Sequence, residues 1–198
     1  MKRLLSLAAF MLLAGVALSQ HKTGMEFDDD EYSQVPKKAQ LTRGLSVVPA
    51  RGSIKQFAPI PQSQGAYGTC TAWAAAYCGR TIMEAIKHNW TDKEVITQNA
   101  FSPAFMFRLI EPDDNVCNGG SVVTDAFAQL KATGAIPFKD LPESCIPAVT
   151  EAQLASAANG KIKGYMRTFD VMSTPGIKIQ AVKKSISERK PVVIGMIC

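Results

Sequence analysis

An abrupt change of texture at residue 70 constrains this chain more than any other feature. Residues 46–68 are rich in Pro, Gly and Gln and end in Gln64-Gly65-Ala66-Tyr67-Gly68-Thr69, which is loop with turn chemistry throughout. From Cys70 to about His88 the chain is Ala-rich, has no Pro and has only Gly79 as a breaker, which predicts a helix. Trp73, Ala76, Tyr77, Arg80 and Met83 or Glu84 recur at helical spacing, so one face of that helix is expected to be buried. The fold must therefore seat a cysteine where a glycine-containing loop turns into a buried helix.

That position has chemical meaning. The thiolate is the nucleophilic form of cysteine, and a helix N-terminus lowers a thiol pKa from its ordinary value of about 8.5. The backbone N–H of Cys70 is one of the helix's unpaired donors and can face a developing oxyanion. Gln64, six residues earlier, can add a second donor through its side-chain amide. The alternative reading of Cys70 is a buried structural thiol. Cys78, two turns further on, reads as core.

Further along, Ser102-Pro103 predicts a helix start, with Ser as cap and Pro at the first position. Helices are also expected over 121–132, stopped by Gly134, over 150–158, and from Thr174-Pro175 to about Arg189. Residues 161–171 and 191–197 read as strands. Helices first and strands later predict an α+β fold. Asp113-Asp114-Asn115 reads as a turn rather than a calcium loop, Asn89-Trp90-Thr91 matches a glycosylation acceptor by pattern alone, and the Met residues read as core filler.

The N-terminus sets the compartment. Lys2-Arg3, the apolar run Leu4 to Leu18 and the small-x-small pattern Ala17-Leu18-Ser19 read as a signal peptide over 1–19. A secreted or periplasmic protein is expected, with no membrane attachment after cleavage. Losing Lys2 and Arg3 lowers the formal charge from +5 to +3, too little to argue for nucleic acid. Residues 20–45 read as a polar linker, with a short pro-segment over the active site as the sharper alternative. Export exposes the five cysteines to oxidation, and an odd count leaves at least one unpaired within the chain. No C-x-x-C spacing suggests zinc, and no metal or cofactor is expected.

The loop Gln64-Gly65-x-x-Gly68-Thr69-Cys70 resembles the active-site loop of papain-like cysteine peptidases. Cys117-Asn118-Gly119-Gly120 resembles a second motif of that family, in which the glycines let substrate backbone lie against the enzyme. Ala126-Phe127 through Gly134-Ala135-Ile136-Pro137, and then Pro191-Val192-Val193-Ile194, resemble later family segments in the same order. The resemblance covers roughly residues 50–198 of a domain expected over 46–198, and implies a two-lobed fold with a cleft. It implies Cys70 as nucleophile, Gln64 in the oxyanion hole, and Gly68, Gly119 and Gly120 against a peptide or protein substrate.

Three departures accompany it. Thr71-Ala72 separate the nucleophile from Trp73, where the family often has Trp directly after the cysteine. Tyr67 replaces a cysteine that would pair with Cys117, so Cys145 is the expected partner, closing a loop of about 28 residues worth about 3 kcal/mol. The catalytic His and Asn of the family have no counterpart: His21 lies in the polar tail, and His88 is about 27 Å along the helix from Cys70. The expectation is a chain that continues past Cys198 into a second, β-rich lobe. A non-catalytic binding module on the same fold is the alternative, and an acyltransferase or amidase a third.

Overall fold

The computed structural model describes residues 24–39 and 49–196. The proposed signal peptide, His21 and Cys198 lie outside them.

The central element is α2, one continuous helix formed by an α-helical turn Cys70–Ala72, a π-helical stretch Trp73–Arg80 and a second α-helical stretch Thr81–His88. The expected buried face is present: Trp73, Ala76, Tyr77 and Arg80 are all buried. Two details differ from the sequence reading. Met83 is exposed, and Cys78 is exposed rather than core. On a π-helical stretch, Ala74 and Cys78 share the one outward stripe, and every other residue from Trp73 to Arg80 is buried. Asn89 closes α2 with a left-handed backbone (φ 53°), and its N–H reaches back to the Ile86 carbonyl.

Against α2 pack α3 (Lys93–Gln98), α4 (Pro103–Ile110) and α5 (Val123–Ala132); α6 (Glu151–Ala157) packs on α4, and α7 (Pro175–Ser187) joins through Ile186, which meets the cluster of Ala85 and Ile96. Local chemistry starts several of these as expected. Ser102 Oγ accepts from the Phe105 N–H at 3.3 Å with Pro103 behind it, and Thr150 and Gln153 form a reciprocal capping box. Ala72, Ala75, Ala76, Met106, Phe107, Ala126 and Leu130 form the main core, where α2, α4 and α5 meet. The small alanines of α2 let the other two helices approach closely.

Arg80 is buried against that core. Its Nε donates to the Gly160 carbonyl at 2.8 Å, its guanidinium lies 4.4 Å from the Phe101 ring centroid, and its Nη1 pairs with Glu84 at 2.7 Å. Burial disfavours the Glu84 carboxylate. Hydrogen bonds from Arg80, Lys87 and His88, with the Arg80 charge, outweigh burial and lower its pKa to about 2.

The expected strands are corrected. Neither 161–171 nor 191–196 forms one, and the only sheet among the described residues is a parallel pair, β1 (Met25–Glu26) with β2 (Ser121–Val122). A strand exists only where a partner ladder satisfies its backbone, and these segments find no partner beyond a bridge between Lys37 and Arg167. The fold is mixed and helix-rich with few strands. The methionines are also corrected as a group: Met106 is core, whereas Met83, Met166, Met172 and Met196 are exposed. No helix among the described residues is long and apolar enough to cross a membrane.

Residues 24–39, read from sequence as a polar tail, are packed on the domain. After β1 comes α1 (Asp29–Gln34), capped by Asp28. Tyr32 Oη donates to the Phe169 carbonyl at 2.8 Å, Arg167 Nε donates to the Val35 carbonyl at 2.8 Å, and Lys37 pairs with Asp170. Lys38 reaches Ser185 and Glu188 on and just after α7. Asp28, Asp29 and Asp30 remain solvent-exposed while Asp29, Asp30 and Glu31 form the first turn of α1, where their charges favour the dipole.

Candidate active site

Cys70 opens α2 and is partly exposed, with an unpaired thiol. The glycine-containing loop before it and the Cys117-Asn118-Gly119-Gly120 run, 50 residues away in sequence, are in direct backbone contact. Gly68 N–H donates to the Cys117 carbonyl at 2.7 Å, and a Cβ on Gly68 would stand 2.6 Å from the Gly119 carbonyl oxygen and 2.9 Å from that of Asn118. Only glycine allows this approach. Gln64 directs its side-chain amide nitrogen to the Tyr67 carbonyl at 2.9 Å, bracing the loop from within. One amide hydrogen is left over by that bond.

The glycine run is itself held from three sides. Cys117 and Cys145 are joined by a disulfide. Asp114 accepts from Gly119 N–H at 2.6 Å and from Val116 N–H at 3.1 Å. Burial opposes ionisation of Asp114, but backbone N–H groups of Gly119, Val116, Asn118 and Cys117 outweigh it and hold the carboxyl below its ordinary value. Buried Arg108 of α4 spends its guanidinium on main-chain carbonyls: Ile146 from Nε and Nη2, Glu111 and Pro112 from Nη1, and Asp114 from Nη2, all at 2.7–3.1 Å. It fastens the loop before the glycine run to the segment after Cys145.

Asp114, Arg108 and Ser121 were missed as site-shaping residues in the sequence reading. Asp114 was legible only as a turn, and Arg108 carries no signal on an apolar helix until the carbonyls around it are known. Thr71, directly after Cys70, is buried and donates to the Ser121 carbonyl at 2.9 Å, tying the start of α2 to β2. Trp73 Nε1 is buried without a partner, as are the hydroxyls of Thr69, Ser121 and Thr124.

His88, the one histidine among the described residues, is engaged elsewhere. Its Nε2 lies 2.8 Å from Glu84 Oε1, and its ring stacks on Trp90 with centroids 4.8 Å apart. It stands at the far end of α2 from Cys70. Among the described residues no group of three or more His, Cys, Asp or Glu is arranged to hold a metal ion.

The fold is similar to that of a solved cysteine protease. That structure is xylellain, described as a cysteine protease from Xylella fastidiosa; the match has a TM-score of 0.59 at 18% sequence identity. It covers 86% of this chain and 65% of xylellain, so the chain spans about two thirds of that protein's length. No protein-family model matches the sequence, and no curated protein matches it.

Proposed function

We propose that this chain carries the nucleophile-bearing part of an exported cysteine-type peptidase of papain-like, two-lobed architecture. Cys70 is the nucleophile, its own N–H and Gln64 stabilise the oxyanion, and Gly68, Gly119 and Gly120 receive the peptide backbone. The histidine and asparagine that would activate and orient the thiolate are supplied from outside this sequence. The observation that carries the reading is the contact of Gly68 with Cys117 and Gly119, which brings the nucleophile loop and the Gly-Gly run onto one surface at the start of α2.

In this reaction the Cys70 thiolate attacks the scissile carbonyl, the N–H donors hold the resulting oxyanion, and the amine leaves with a proton from the base. Water then hydrolyses the thioester. Removing the base from such a Cys–His pair lowers turnover by several orders of magnitude.

The test is the rate at which Cys70 of the full-length secreted gene product, with its base in place, is alkylated by iodoacetamide between pH 5 and 8, read by peptide mass. The reading expects reaction at Cys70 to stay fast below pH 7, where an ordinary thiol slows about tenfold per pH unit. A Cys70 that follows the ordinary profile overturns it. A binding module without turnover is favoured by the engagement of His88 with Glu84 and Trp90. It predicts a secreted gene product that binds peptide but releases no amine from it.

A further inference from the structure

α2 changes its winding in the middle. Eight residues, Trp73–Arg80, are wound as a π-helix between the α-helical turn that starts at Cys70 and the α-helical stretch Thr81–His88. Eight residues wound this way make roughly 0.4 of a turn less than in an α-helix, because the ladder reaches back five residues rather than four. The winding therefore sets how Cys70 is turned about the helix axis relative to the far end.

That far end is fixed. Arg80 is held by the Gly160 carbonyl, Glu84 and the Phe101 ring. Buried Thr81 follows it: Oγ1 donates to the Ala76 carbonyl, five residues back, at 3.4 Å and accepts from the Phe101 N–H at 3.2 Å. Within the stretch, Tyr77 Oη donates to the Ile60 carbonyl at 2.7 Å. At the near end Thr71 is tied to the Ser121 carbonyl. The π-helical stretch thus joins two anchored ends, and a change of winding must turn one against the other.

Gly79 admits the wide turn. Alanine is the better former of a helix interior, so a buried glycine here calls for a steric reason. A Cβ on Gly79 would stand 3.1 Å from the Ala74 carbonyl oxygen, again five residues back, and 3.4 Å from Val193 Cγ2. The first of these is closer than a methyl group settles against its neighbours, so alanine would press that carbonyl out of the ladder. With glycine in place, Cys70, Ala74 and Cys78 follow one another along the helix at intervals of four, Cys70 and Ala74 half-buried and Cys78 exposed.

We propose that the π-helical stretch is a positioning device for the Cys70 thiol, with Gly79 and Thr81 as the positioning residues that hold its winding. Neither touches the thiol or a substrate; both act through the direction in which the helix start faces. The inference rests on the peptidase reading only for the claim that this direction matters to turnover.

The experiment uses the full-length secreted gene product, oxidised, in its native form and as Gly79→Ala, Thr81→Val, Thr81→Ser and the half-buried control Ala74→Ser. Alkylation of Cys70 by iodoacetamide is followed from pH 5 to 9 by peptide mass. Cys78, two residues from the fixed Arg80, is the reference thiol; burial pushes its pKa up, so its rate is compared at pH 9. Gly79→Ala is expected to slow Cys70 at least about tenfold at pH 6, since a misplacement of about 1 Å suffices for such a loss. Cys78 keeps its rate. Thr81→Val acts in the same direction, Thr81→Ser restores the native rate by keeping the hydroxyl, and Ala74→Ser changes neither thiol. The Thr81 pair carries the test should Gly79→Ala melt early. A Cys70 profile unmoved by both Gly79→Ala and Thr81→Val overturns the proposal, and so does equal slowing of Cys70 and Cys78. An ordinary native Cys70 profile, beside a Cys70 rate that Gly79→Ala still alters at pH 9, overturns the peptidase reading alone. A fast native profile that the variants leave unmoved overturns this inference alone.

Discussion

Residues 70–160 and residues 161–196 carry apolar side chains at similar density, yet they use them differently. In the first stretch Phe105, Met106, Phe107, Ala126 and Leu130 are fully buried and interlocked. In the second, Met172 is 91% exposed, Met196 68%, Ile194 55% and Ile179 54%. The difference lies in what each segment can close upon. Helices satisfy their own backbone and need only a face to bury, so α2, α4 and α5 assemble around one another. An apolar β-branched run such as Val192-Val193-Ile194 needs a ladder as well as a face, and among the described residues nothing supplies one. Apolar content is a demand for burial, and a facing partner decides whether it is met: α7 satisfies its own backbone and still leaves Ile177 and Ile179 exposed.

Substitutions sharpen this contrast. The largest effect is expected in the first region, where Phe107→Ala should cost about 3–5 kcal/mol by transfer and cavity terms, while Ile179→Ser in the second should stay within about 0.5 kcal/mol. Chemical denaturation of both variants measures the difference, and similar losses would erase the distinction. Next comes the disulfide between Cys117 and Cys145. Replacing both cysteines with serine releases a loop of 28 residues and should cost about 3 kcal/mol. Intact Asp114 and Arg108 contacts should keep the glycine run folded; hydrogen exchange at Gly119 tests whether they do.

The smallest of the three effects is pH-dependent and belongs to α2. Glu84 has its pKa lowered from 4.5 to about 2. The folded state thus binds this proton less tightly than the unfolded one, and the stability this supplies is complete above pH 4.5 and disappears as pH falls toward 2. Glu84→Gln should therefore cost roughly 1–2 kcal/mol at pH 7, discounted for its partial exposure, and almost nothing at pH 2. Thermal melts of both proteins across that range check it. A constant difference would assign Glu84 a packing role instead.

Much of the helical framework was legible because its signals are local. The alanines after Cys70, Ser102 with Pro103, and Thr150 with Gln153 each start a helix with residues a few positions apart. Pairing Cys117 with Cys145 followed from the family resemblance and the absence of a cysteine at Tyr67. What was not legible depended on distant partners. Nothing in Gly24 announces that it must fit under the Gly68 carbonyl, and nothing in Arg108 announces five carbonyl contacts. The outward turn of Cys78 was hidden for another reason: a reading at 3.6 residues per turn does not foresee a π-helical stretch, whose side chains fall on a different spiral.

The seating of Lys37 and Lys38 on Asp170, Ser185 and Glu188 has a consequence for how β1 stays paired. Those contacts moor one end of a short tether whose other end is Met25–Glu26, with α1 between them. A moored strand meets β2 at an effective concentration of millimolar order, so two residues of ladder suffice to hold it. A single proteolytic cut within Asp29–Gln34 would abolish that advantage without altering one atom of β2.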